Sequence, residues 1–310
     1  MDWNQTKKRL ISLAAGREEL QADRPALLRS QGWGRAEDLK AERAVSLCVA
    51  SGKGGTGKSI VTAALARLFS AHRRTLLFDA DLGVGNAHIL QDVTPARTLV
   101  DVVEGKVKVS DVREPCGSLL DLVAAGSGVP RMTYLSSYEL HLVAHGVGEL
   151  EREYDYVLVD SAAGISHQTM AFAEASDVVL IVTTPDLTAM TDAYAFLKVL
   201  YLRRPEARVL LAVNRAEDET EAGRVRARIT EVCERFLGVA PEHAGWIPTD
   251  PGVVRAVNHR ASIVVAEPEA PAARALRVLA ARVFRELSEV APRGLGRSLL
   301  RQIGLAGDAV

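Results

Sequence analysis

Two lysines stand five positions apart in residues 51–59, SGKGGTGKS. Gly52 to Ser59 fits the pattern G-x-x-x-x-G-K-[ST], whose glycines let successive backbone N–H groups turn toward a phosphate chain. Gly52, Gly54, Gly55, Thr56 and Gly57 supply that cradle, and the helix predicted to start behind it adds partial positive charge. Lys58 is placed to neutralise the β- and γ-phosphates, and the Ser59 hydroxyl to ligate Mg²⁺. Lys53 has no clear task on the same phosphates. Three carboxylates extend the set: Asp79 and Asp81 in LFDADLG, and Asp160 in VLVDSAAG, each closing an apolar run. At the carboxyl ends of parallel strands they face the ligand crevice. There an aspartate holds a Mg²⁺-bound water or orients the attacking water. The chemistry expected is Mg²⁺-dependent hydrolysis of a nucleoside triphosphate.

Such a site needs a strand before the loop and a helix after it. AVSLCVA precedes the loop and SIVTAALARLFSA follows it. TLLFDAD, LLDLVAA, YDYVLVDS, DVVLIVTTP and RVLLAVN are further short runs rich in Val and Leu, as strands buried on both faces require. Helical periods over 134–153, 188–204 and 221–237 separate most of them. Strands alternating with helices predict an α/β fold, a doubly wound, mostly parallel sheet with helices on both faces. Residues 44–290 form this domain, and 270–290 should be its last core helix, with Leu276, Leu279, Val283 and Leu287 on one face. Residues 1–43 read as a helical arm and linker, and 291–310 as a separate tail.

The formal net charge of −1, with 25% charged residues, gives no general grip on nucleic acid. Arg224, Arg226 and Arg228 read as a solvated helix face. Cys48, Cys116 and Cys233 are far apart, which argues against disulfides, a zinc site or a cysteine-held iron–sulfur cluster. His141 and His145 share a helix face but lack a third ligand. No apolar stretch approaches the roughly 18–20 residues of a membrane span, and the first residues lack a secretory pattern. A cytoplasmic protein is expected, with any membrane contact peripheral. In the tail, Arg293, Arg297 and Arg301 are four apart, as are Leu295, Leu299 and Ile303, and the two sets fall on opposite helix faces. Gly294, Gly296 and Gly304 weaken that helix in water. An anionic membrane surface, contacted through Arg293–Leu305, would order it.

KGGTGKS, with its early lysine, resembles the deviant Walker A loop of the MinD/ParA ATPases. DADLGVGNAHIL, YDYVLVDSAAGIS, VTTPDLTAMTDAYAFLKVL and IPTDPGVVRAV follow in family order. The resemblance covers about residues 44–290. DSAAGIS and TTPDLTAMTDAYA are more similar to the FlhG (FleN/YlxH) regulators of flagellar number than to MinD or ParA. The resemblance implies ATP and ADP as ligands with Mg²⁺, and an ATP-bound homodimer in which Lys53 reaches the phosphates of the other subunit. It implies Asp81 as the water-positioning residue, Asp160 as the carboxylate near Mg²⁺ and Asp79 as its neighbour behind. Asn214 would bond adenine, with the backbone of Pro248, Thr249 and Asp250 on the other side of the base. It further implies regulation of flagellar placement, with an FlhF-like GTPase or flagellar basal-body proteins as partners. Asn4, Gln5, Thr6, Arg9 and Leu10 match the family's GTPase-stimulating segment only loosely. DNA partitioning, division-site regulation and electron donation from an iron–sulfur cluster are the rival roles.

Overall fold

The computed structural model describes residues 43–126, 128, 132 and 135–307, and these belong to one compact unit spanning Leu39–Val310. The N-terminal arm, with Asn4 to Leu10, lies outside the described residues. β1 (Val45–Ser51) is buried at every position and leads through the glycine loop into α1 (Lys58–Phe69). There follow β2 (Thr75–Ala80), the short helices α2 (Ala87–Leu90) and α3 (Leu99–Val103), and strands β3 (Arg113–Pro115) and β4 (Leu120–Val123). Then α4 (Ser137–Leu150), β5 (Tyr156–Ala163), α5 (His167–Ala175), β6 (Val178–Thr183), α6 (Leu187–Arg203), β7 (Arg208–Ala216) and α7 (Glu219–Leu237) alternate. β8 (Glu242–Pro248), α8 (Pro251–Asn258), α9 (Ile263–Ala266), α10 (Pro271–Ser288) and α11 (Leu295–Gly307) complete the described chain.

The eight strands are ordered β3-β4-β2-β5-β1-β6-β7-β8, parallel except for β3 against β4. The expected doubly wound sheet is therefore present. β1 lies between β5 and β6, so chain connections leave it in both directions, the arrangement that opens a crevice above the strand ends. Parallel pairing of β2 with β5 sets Asp79 directly beside Asp160. The predicted face of α10 is confirmed, with Leu276, Leu279, Val283 and Leu287 buried. Three elements were not legible as apolar runs. β3 and β8 are edge strands; β8 reads EHAGWIP, because an edge need not be apolar on both sides. Helix α5, HQTMAFAEA, is buried nearly all round and shows little helical period.

Residues 293–302 do not stand apart as a separate tail. Helix α11 packs against α4 and α5, with Leu295 and Leu299 fully buried. The backbone N–H of Leu295 donates to Glu151 at 2.6 Å, and that of Arg293 to Asp177 at 2.9 Å. The Arg293 guanidinium donates to the carbonyls of Glu174, Ala175 and Ser176 at 2.8–3.0 Å, where α5 ends and its dipole favours a cation. The glycine that weakens this helix in water is what seats it: a Cβ at Gly296 would lie 2.4 Å from the Gly148 backbone. Arg297 and Arg301 face solvent, as the sequence pattern requires. The Ile303 side chain lies outside the described residues, and no described helix is long and apolar enough to cross a membrane.

Candidate active site

The loop after β1 is held from both sides. Gly57, just before α1, has φ 88° and Gly55 has φ 80°, conformations that favour glycine. A Cβ at Gly54 or Gly55 would meet nothing within 4 Å, so this flank of the loop is open. At Gly52 a Cβ would lie 2.0 Å from the Asp192 carbonyl oxygen, so its hydrogen is what lets the loop rest on α6. The Ser51 hydroxyl donates to the Lys53 carbonyl at 2.9 Å, and the Gly164 N–H to the Ser51 carbonyl at 2.9 Å, tying the loop to the end of β5.

The two lysines have different partners. Lys58 is buried, its Nζ 2.8 Å from Asp160 Oδ1 and 3.2 Å from the Ser59 hydroxyl. The Thr62 hydroxyl donates to the Lys58 carbonyl at 2.9 Å and lies 3.3 Å from the same Asp160 oxygen. Sequence reasoning missed Thr62, although its i+4 spacing from Lys58 puts both on one helix face. Lys53 is exposed, and its Nζ donates to the Thr188 hydroxyl on α6 at 2.6 Å.

Asp79 is fully buried. Its Oδ1 accepts the N–H of Asp81 at 3.1 Å and its Oδ2 that of Ala87 at 3.2 Å, so one carboxyl spans the loop 81–87. Gly85 lies against it; a Cβ there would sit 2.4 Å from Oδ2. Asp79 is thus a support of the loop that carries Asp81. Asp81 is partly exposed, and its Oδ1 accepts the Val84 N–H at 3.4 Å. Burial first, then the charge of Asp160, push the Asp79 carboxyl up to about 8. An unfolded aspartate titrates near ~4, so between about pH 4 and about pH 8 the folded chain holds a proton that the unfolded chain lacks. This group's contribution to stability is therefore fully present below the lower value and is lost as pH rises toward the upper one. Urea midpoints of the nucleotide-free protein should fall from about pH 5 to about pH 8, and Asp79→Asn should flatten that slope. Parallel slopes for the two proteins would refute it.

On the other side of the loop, Asn214 lies two residues before the end of β7 and is buried, its Nδ2 donating to the Thr56 carbonyl at 2.7 Å. Beside it an open cavity of about 520 Å³ is lined by Thr184, Asp186, Arg215, Glu221 and Thr249, a volume within the range of small-ligand pockets. Arg215 and Asp186 approach to 3.7 Å across it. Of the predicted base-side residues, Thr249 lines this cavity and Pro248 pairs with Ala216 in the sheet. The Asp250 side chain is engaged elsewhere: its oxygens accept the N–H of Gly252 at 2.8 Å and of Ala272 at 3.0 Å, capping α8 and α10 together.

These residues fit a magnesium nucleotide. An open glycine loop, a buried ammonium, the Ser59 hydroxyl and the Asp160 carboxylate converge, and Mg²⁺ binds through one or two carboxylates plus phosphate oxygens. Among the described residues no group of three His, Cys, Asp or Glu side chains could hold a metal ion by itself, and His141 and His145 are exposed.

The sequence profile of the CobQ/CobB/MinD/ParA nucleotide binding domain matches residues 47–263. The antiactivator FleN of Pseudomonas aeruginosa is 35% identical over 249 residues, 80% of this chain and 89% of FleN. The flagellum site-determining protein YlxH of Helicobacter pylori is 33% identical over 199 residues, 64% of this chain and 67% of YlxH. Among solved structures, the septum site-determining protein MinD from Pyrococcus horikoshii, complexed with Mg-ADP, superposes with a TM-score of 0.64 at 24% identity, covering 76% of this chain and 94% of MinD. The profile spans more than half of the chain and FleN is 35% identical over 80% of it, so the chain belongs to the MinD/ParA family of P-loop ATPases and to its FleN/YlxH branch.

Proposed function

We propose that this protein is an ATP-driven dimerisation switch that associates peripherally with the membrane and sets flagellar number and placement. The observation that carries the reading is the division of labour between the lysines. Lys58 lies in the cradle against Asp160, whereas Lys53 is exposed on Thr188 and free to reach a second copy of the chain. The names of the FleN and YlxH relatives support the flagellar role.

In this reading the triphosphate takes Lys58 from Asp160, and the loop's N–H groups hold the β- and γ-oxygens. Ser59 and Asp160 would hold Mg²⁺, which neutralises phosphate charge when bound. Asp81 orients the attacking water, on a loop that Asp79 fixes. Lys53 completes the partner's site, so hydrolysis is coupled to pairing and times the return to monomer. An FlhF-like GTPase or basal-body components are the proposed partners. Light scattering with ATP tests the switch: Asp81→Ala should accumulate dimers, and Lys53→Ala should bind ATP yet stay monomeric. A persistent Asp81→Ala monomer would sink the proposal.

Membrane association requires α11 to leave its seat, because Leu295 and Leu299 are fully buried there. Nucleotide-loaded dimers should co-sediment with anionic vesicles, and removal of residues 293–310 should abolish this. Equal sedimentation of both proteins would remove the membrane step. The DNA-partitioning alternative gains little from Arg224, Arg226 and Arg228: Arg224 and Arg228 share an exposed helix surface with Glu231, and Arg226, two positions on from Arg224, falls on a different face.

A further inference from the structure

We propose that Asn214 is a positioning residue for the phosphate loop, in addition to any contact with the base; the inference rests on the reading of the loop as the ATP site. Its side-chain amide is fixed at both ends. Nδ2 donates to the Thr56 carbonyl at 2.7 Å, and Oδ1 accepts the N–H of Arg215 at 3.0 Å. Turning the amide over would set oxygen against oxygen and N–H against N–H, so its orientation is determined. The loop lies flush on this amide: a Cβ at Gly57 would be 2.2 Å from Nδ2. Thr56 and Asn214 are both buried, so no water competes freely for the bond.

The strand end is shaped to deliver that amide. Pairing of β7 with β8 shifts register between Asn214 and Ala216, and Arg215, in between, has φ 57°. A left-handed arginine is strained backbone, and such strain persists where the surroundings over-determine it. The consequence lies in the peptide that joins Thr56 to Gly57. In a planar trans peptide, C=O and N–H point in opposite directions. Holding the Thr56 carbonyl on Asn214 therefore turns the Gly57 N–H away from Asn214. An anion is bound by N–H groups and repelled by carbonyls, so this peptide must not flip. Asn214 is the lock that prevents it, and the loop is organised before any base arrives.

A base-free ligand separates this role from adenine recognition. Tripolyphosphate with Mg²⁺ is titrated against a bound fluorescent ATP analogue, using the full chain with and without Asn214→Ala. The lost hydrogen bond should weaken tripolyphosphate by about threefold to tenfold. Asn214→Ser, smaller but still a donor, serves if the alanine variant does not fold, and should give a weakening in the same direction. Unchanged tripolyphosphate affinity in the variants, whatever happens to ATP, would overturn the inference. So would a wild-type protein that ATP displaces and tripolyphosphate does not. If neither ligand displaces the analogue from wild type, the ATP-site reading itself fails.

Discussion

Lys58→Met is expected to lower ATP hydrolysis by a factor of at least about 10² and to weaken triphosphate binding strongly, as loss of a preorganised cation at a phosphoryl-transfer site does. The same change acts on the free protein. Lys58 lies 2.8 Å from Asp160, and Asp160 is paired in register with Asp79, both carboxyls buried. Removing the ammonium leaves two neighbouring buried acids without that charge, and breaking a buried ion pair from one side costs about 3–5 kcal/mol. Adding Asp160→Asn to Lys58→Met should restore much of the stability and none of the hydrolysis. Denaturant melts and phosphate release on the two variants check both halves. A single variant as stable as wild type at neutral pH would contradict the electrostatic account.

Gly296→Ala is expected to unseat α11, whereas Gly148→Ala, its partner in the same contact, should be nearly silent. At Gly296 the new Cβ would meet the Gly148 Cα and N at 2.4 Å and the Ala144 carbonyl at 2.5 Å, all backbone that has little room to yield. At Gly148 it would meet the nearest atom, the Gly296 Cα, at 3.5 Å, an ordinary contact. Lifting the helix re-exposes Leu295 and Leu299, each worth roughly 1.5–3 kcal/mol of burial. Limited proteolysis should then cut the Gly296→Ala chain near residue 292 while sparing Gly148→Ala. On the proposed membrane reading, Gly296→Ala should also bind anionic vesicles without nucleotide. Equal protease resistance of the two variants would show that the seat is softer than its geometry.

The contrast shows where the sequence was legible. The loop, its lysines and the three aspartates stood in unmistakable spacing, and the runs around them announced buried parallel strands. The amphipathic period of α11 was equally plain, with Leu295 and Leu299 opposite Arg297. What covers that apolar face was not, because periodicity reports that a face is buried and not against what. The glycines pointed the wrong way for a physical reason. In an isolated helix Gly296 only adds chain entropy; beside Gly148 it becomes the notch through which two backbones meet. The side chain of Asp250 has a task that its place after Thr249 does not announce: its carboxyl caps two helices whose starts are 20 residues apart in sequence, Pro251 and Pro271, which leaves its backbone free for the expected contact with the base. Asn214 was legible as a base contact, but its bond to Thr56 joins residues far apart in the chain and no local pattern announces it.

Helix α5 is nine residues long, begins seven residues after Asp160, and ends in the carbonyls that Arg293 grips. One short rod thus links the strand that carries Asp160 to the seat of α11. If occupancy at one end shifts that rod, thermodynamic linkage requires the other end to answer by the same factor. A surface that captures α11 would then be an effector of nucleotide affinity as well as a destination. Whatever factor ATP exerts on release of the helix, a vesicle must exert in equal measure on the retention of ATP.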